Sequence, residues 1–189
     1  MRASIPRLLI LLLLASLAGG CGGSGSAAAD LKVPEGFNAC DILTWQKARA
    51  IAGVPIAGLS STLEDALGPD PLFCSYNAGT VESPRLVSLQ VRPAPSARAA
   101  ERRIESNRSF LRTLSGGEVK DVAGIGEKAI WAGGTANQLH VSHGAVQLII
   151  TVQAGKNHLA AAQQIAKETF AAIAKAAQEG KPPQRAALE

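Results

Sequence analysis

From residue 145 to 153 the side chains alternate in character. Val146, Leu148, Ile150 and Val152 fall on one parity, and Gln147, Ile149, Thr151 and Gln153 on the other. A period of two marks a strand whose two faces meet different surroundings. The same reading places a strand over 85–92, where Val87, Leu89 and Val91 share a face until Pro93 and Pro95 end it. A further strand over 72–77 pairs with it as a hairpin. Residues 128–131 and 137–142 flank a Gly133-Gly134 turn, and His143-Gly144 turns the chain into 145–153. Those three strands form an antiparallel meander.

Three segments carry the helical period. Thr44 caps the first, with Trp45, Ala48, Ile51 and Ala52 on one side and Gly53 as the stop. Ser96 caps the second, which runs to Leu114 with Ala97, Ala100, Ile104, Leu111 and Leu114 on its apolar side. Asn157 caps the third, over 158–178, where Leu159, Ala162, Ala166, Phe170, Ile173 and Ala177 form the stripe and Ile165 lies beside it. Gly180 and Pro182-Pro183 end it. Residues 56–71 read as loop, with one short turn at 61–67. The expected architecture is α+β: a largely antiparallel sheet of about five strands with three helices, in the order α-β-β-α-β-β-β-α. Helices are expected to cover one sheet face or pack at its edges, leaving the other face, or the gap between helices, for recognition.

The first 21 residues read as an address. Arg2 and Arg7 precede an uncharged, Leu-rich run from Leu8 to Ala18, followed by Gly19, Gly20 and Cys21. Eleven helical residues reach about 16 Å, too short for a bilayer core of roughly 30 Å. This is the make-up of a secretory signal peptide. Ala18-Gly19-Gly20-Cys21 resembles a bacterial lipobox, which implies diacylglycerol (palmitate) attachment at Cys21 and a membrane anchor. The Gly/Ser/Ala-rich stretch that follows reads as a flexible tether. The domain plan is therefore signal peptide 1–20, lipidated Cys21 and tether 21–36, one α+β domain 37–179 and a frayed tail 180–189. The protein is expected in the cell envelope, lipid-anchored outside the cytoplasm. That means the outer membrane in a Gram-negative cell, or the outer face of the cell membrane in a Gram-positive one.

Export changes how cysteine and charge are read. With Cys21 acylated, Cys40 and Cys74 remain, and a disulfide between them is expected in an oxidising compartment. Closing a loop of about 35 residues would contribute roughly 3–4 kcal/mol. Metal ligation and a catalytic thiol are the competing readings, and no nearby histidine supports either. Net charge is +4. Removing Arg2 and Arg7 with the leader lowers the basic count from 19 to 17 against 15 acidic residues, which excludes nucleic acid as a partner. Arg98, Arg102 and Arg112 form the most basic stripe and read as a solvated helix face.

Cys40-Asp41-Ile42-Leu43-Thr44, then Cys74-Ser75-Tyr76 opening a strand, then Val122-Ala123-Gly124-Ile125-Gly126-Glu127-Lys128-Ala129-Ile130-Trp131 occur in that order. Together they resemble a family of secreted lipoproteins of unknown function common in actinobacteria. The resemblance spans most of 40–173. It implies a disulfide-linked envelope domain and carries no reaction or catalytic residues.

Little enzymatic chemistry is patterned in the chain. The Gly124-Ile125-Gly126 stretch lacks the third glycine of a dinucleotide fingerprint and reads as a turn feeding a strand. His140 and His143 read as exposed residues near a hairpin tip, and neither metal nor cofactor is expected. The function expected is a non-catalytic binding or structural module, its partner an envelope protein or a small amphiphilic ligand besides the lipid bilayer. Trp131, Tyr76 and Ile149 are expected to line a shallow apolar cleft. The alternative is an envelope hydrolase whose active site assembles from distant loops.

Overall fold

A computed structural model describes residues 31–53, 70–77, 79 and 85–180. In chain order the elements are α1 (Ala39–Ile42), α2 (Trp45–Ala52), β1 (Phe73–Asn77), β2 (Leu86–Pro93) and α3 (Ala97–Leu114). They continue with β3 (Val119–Asp121), β4 (Lys128–Ala132), β5 (Gln138–His143), β6 (Val146–Val152) and α4 (His158–Glu179). The strands form one sheet in the order β1-β2-β6-β5-β4-β3, antiparallel at every pairing. The α+β class is as expected, but the described residues hold six strands and four helices. The two extra elements are too short to carry a period. β3 is three residues on the sheet edge, and α1 is a single turn capped by Asn38, whose Oδ1 accepts the Cys40 N–H at 2.9 Å. The loop expected over 56–69, with its short turn at 61–67, lies outside the described residues, as do Cys21, the signal peptide and the tail beyond Gly180.

Cross-strand register sorts the sheet into two unlike faces, because directly paired residues project to the same side. One face carries Cys74, Tyr76, Val87, Leu89, Val91, Leu148, Ile150, Leu139, Val141 and Trp131. These pack with Leu43 of the α1–α2 link, Ala48 of α2, and Ile165, Phe170 and Ile173 of α4 in the main hydrophobic core. The other face meets α3, and its core is small: Ile104 and Leu111 from the helix, with Ile130, Ala132 and Ala136. Helices thus lie on both faces, where one covered face was expected.

Local chemistry explains where the chain departs from its periodic reading. Within α3 the buried residues are Ala100, Ile104 and Leu111. Leu114 is turned off that stripe and is exposed, as is Phe110 at 65%. Trp45 is also exposed, with the Arg49 guanidinium 5.3 Å from its ring centroid. Asn157 takes a left-handed backbone conformation (φ 56°) and makes no side-chain cap, and α4 buries Ala176 in place of Ala177.

The disulfide is present. Cys40 and Cys74 are bonded with their Cα atoms 5.1 Å apart, joining α1 to β1 on the large-core side. On that same side Lys47 of α2 forms an ion pair with Glu168 of α4. Packing starts ahead of the expected boundary at residue 37: Leu31 is buried, and its carbonyl accepts the Ala145 N–H at 2.9 Å.

Candidate functional site: a polar seam beneath α3

The β5–β6 hairpin closes through two residues, Gly144 and Ala145, with His143 paired to Val146. Gly144 has φ 54°, the left-handed region in which glycine is unstrained. This turn fixes the register that follows: Ser142 opposite Gln147, His140 opposite Ile149, and Gln138 opposite Thr151. Gln147 is in turn opposite Arg92 of β2. With Lys128 of β4 opposite Ser142, a continuous polar strip therefore runs across four strands, Lys128–Ser142–Gln147–Arg92, on the face that α3 packs against.

Its central members are shut away from solvent. Gln147 is 0% exposed, Ser142 1% and His140 4%. His140 Nε2 lies 3.2 Å from Gln138 Oε1, an oxygen that can only accept, so the ring donates there and Nδ1 is left as a bare acceptor. Among the described residues His140 Nδ1, Ser142 Oγ and both ends of the Gln147 amide have no hydrogen-bond partner. Each such buried group costs about 1–3 kcal/mol relative to a paired one. The backbone of Ser142 is by contrast tightly held. Its carbonyl accepts the Glu127 N–H at 2.9 Å. The Gly124–Gly126 turn lies so close above it that a Cβ on Gly126 would fall 2.2 Å from the Ser142 oxygen. The backbone carbonyl is paired and the side-chain hydroxyl is not.

The seam's electrostatics favour neutrality. Burial first, and the nearby Arg92 charge second, push the His140 pKa down to about 4, so the imidazole is uncharged at neutral pH. The one acid on this face among the described strand residues is Asp121, two strands from His140 on edge strand β3. It belongs to a surface cluster fastening α3 to the sheet: Arg108 donates to Glu105 at 2.9 Å and to Asp121 at 2.6 Å, and Lys128 joins both. Hydrogen bonds from Arg108, then Lys128, hold the Glu105 carboxyl down to about 2. On its other flank, among the described residues, α3 has a single polar tie, from Arg103 Nη1 to the Pro93 carbonyl at 3.3 Å.

The structure does not bring Trp131, Tyr76 and Ile149 together. Trp131 and Tyr76 are buried in the large core, on β4 and β1. At ~4.8 Å per strand spacing those strands lie about 19 Å apart. Ile149 projects from the opposite face, between His140 and Gln90. The apolar cleft expected around these three is thus replaced by a buried polar strip. His140, read as an exposed turn residue, lies mid-strand under a helix. His143 falls on the other face, against Phe170 (ring centroids 5.2 Å apart) and 2.9 Å from Glu127. Three residues apart in a strand, the two histidines point opposite ways and cannot share one ion. Among the described residues no group of three or more His, Cys, Asp or Glu is placed to hold a metal. Arg98, Arg102 and Arg112 are exposed on α3.

The missed residues left a trace in the sequence. Gln138, His140 and Ser142 share one parity, and Gln147 and Thr151 share another. Counting back through a two-residue turn would have placed all five on one face.

Among the described residues no helix is long and apolar enough to cross a membrane. No family model, curated protein or solved structure matches the chain.

Proposed function

We propose that this chain is an envelope lipoprotein, of the actinobacterial kind its motifs resemble, anchored through acylated Cys21. Its domain acts as a non-catalytic binding module that takes its ligand on the seam beneath α3. The observation that carries this reading is the set of buried groups with unspent hydrogen-bonding capacity at His140, Ser142 and Gln147. Folding strands around such groups costs stability, and a ligand that pairs them recovers it. The disulfide supports the address, since disulfides persist outside the reducing cytoplasm.

The hydrolase alternative would draw on Ser142 and His140, two residues apart on one face. Ser142 Oγ and His140 Nδ1 both lack a partner, so they are not hydrogen-bonded to each other. The ring's other nitrogen faces an amide oxygen, with no carboxylate to stabilise an imidazolium.

Two experiments test the proposal. In a lipoprotein-processing host the chain should incorporate labelled palmitate and Cys21→Ser should abolish it; labelling of the variant ends the anchoring claim. Titrating Cys21→Ser protein with the small-molecule fraction of envelope extract should shift amide resonances of β5, β6 and α3. Turnover of ester or glycan substrates that vanishes in folded Ser142→Ala would instead establish the hydrolase.

A further inference from the structure

The chemistry of the unpaired groups identifies what they recognise, granted the reading of the seam as a binding site. We propose that the seam between α3 and strands β6 and β5, with Arg92 of β2 at its margin, takes a neutral, polyhydroxylated ligand, a single sugar unit, with Ser142, Gln147 and His140 as its hydrogen-bonding contacts.

The argument is one of matching donors to acceptors. His140 Nδ1 and Gln147 Oε1 are bare acceptors, and Gln147 Nε2 is a bare donor. The Ser142 hydroxyl serves as either. A carboxylate offers only acceptors: Arg92 and the Gln147 N–H suit it, but it leaves His140 Nδ1 and Gln147 Oε1 with nothing to accept. A cation offers only donors, and meets both the Gln147 amide N–H and the Arg92 guanidinium. A hydroxyl both donates and accepts, so a cluster of hydroxyls satisfies the whole set without a charge having to be buried. The seam has no carboxylate among its central residues, and its histidine is held neutral.

Dimensions agree. His140 and Ser142 are two residues apart on one strand, about 6.8 Å, and Ser142 faces Gln147 directly at roughly 4.5–5.5 Å. A pyranose ring spreads its hydroxyls over a comparable span.

The side from which the ligand enters also follows. The unpaired atoms are buried, so α3 must lift. Its β3/β4 flank is fastened by the Glu105–Arg108–Asp121–Lys128 cluster, and its end by Thr135 Oγ1 donating to the Leu114 carbonyl at 2.7 Å. Among the described residues the β2 flank has the one Arg103 tie. Opening is therefore on the β2 side, where Arg92 stands at the margin as a further donor.

The test uses the full chain as Cys21→Ser, with 15N NMR of the Gln147 side-chain amide and of the β5–β6 backbone. The neutral probes are glucose, galactose and maltose, the anions succinate and inorganic phosphate, and the cation spermidine. A saturable shift of the Gln147 amide by at least one sugar, and by neither ion class, is the expected result. Gln147→Leu should stay folded, melt at a higher temperature and bind that sugar at least tenfold more weakly. Arg92→Gln should weaken it severalfold. If phosphate or succinate moves the Gln147 amide and sugars do not, the ligand class is overturned while the seam stands as a binding site. If no probe moves it, and Gln147→Leu gains stability with an unaltered response to envelope extract, both the ligand class and the seam are overturned.

Discussion

The two faces of the sheet are made from alternate residues of the same strands, yet they are finished in opposite ways. On the α4 side, Leu148 and Ile150 enter a continuous apolar core closed by α1, α2, a disulfide and the Lys47–Glu168 pair. On the α3 side, Gln147 and Thr151 are equally buried, but the buried residues of the helix are only Ala100, Ile104 and Leu111, and the apolar cluster there is small. Burying a large aliphatic side chain contributes about 1.5–3 kcal/mol, and an unpaired polar group takes back about as much. One face therefore holds the fold, while the other is close to energetic balance and open to being tipped by a ligand.

Neighbouring substitutions in β6 test that contrast most strongly. Leu148→Ala, in the large core, should cost about 2–5 kcal/mol in urea unfolding. Ile149→Ala, half-buried on the other face, should cost about 1 kcal/mol. Equal losses would mean that the two faces do not differ in the way argued.

Acid should act mainly through the α3 face. The folded His140 takes up its proton near 4 and the unfolded chain near 6.5. Between those values the unfolded state binds more protons, so stability falls as pH is lowered, by about 3 kcal/mol in all. His140→Gln should flatten the slope over that window. The Glu105 carboxyl, with its pKa lowered to about 2, adds its own loss only at more acid pH.

Gln147→Leu removes two unpaired atoms at similar volume and should raise stability by about 1–3 kcal/mol, seen as a higher urea midpoint at constant slope. A destabilised variant would mean the amide is paired in solution. The smallest effect belongs to Arg108→Ala, which cuts the exposed cluster over β3 and β4. Its cost in stability should not exceed about 1 kcal/mol. Amide exchange should nonetheless quicken in α3 and stay unchanged in α4.

What the sequence disclosed follows the same division. The large-core face was legible because Val146, Leu148, Ile150 and Val152, or Val87, Leu89 and Val91, are apolar at every second position. The polar face was not, because alternation says which residues share a side and nothing about what will cover it. His140 reads as an exposed residue near a hairpin tip, since an unpaired buried polar group is costly and the economical reading leaves it in water. Helix α3 compounded the difficulty: Ala100, Ile104 and Leu111 were recognised as its inner side, but the surface they would meet carries no apolar signature in β5. The elements α1 and β3 escaped because one turn and three residues contain no full period.

The two-residue link at Gly144 and Ala145 has a consequence for how such a protein can vary through time. Side-chain direction in a strand has a period of two, so inserting or deleting a single residue there would exchange the sides of β6 relative to β5. Gln147 and Thr151 would enter the greasy layer, and Leu148 and Ile150 would lie under α3. Substitution can therefore retouch either layer piece by piece, whereas a change of length at this one bend alters both at once. Lineages descending from such a chain should drift freely in the identity of their seam residues while keeping the length of this hairpin constant.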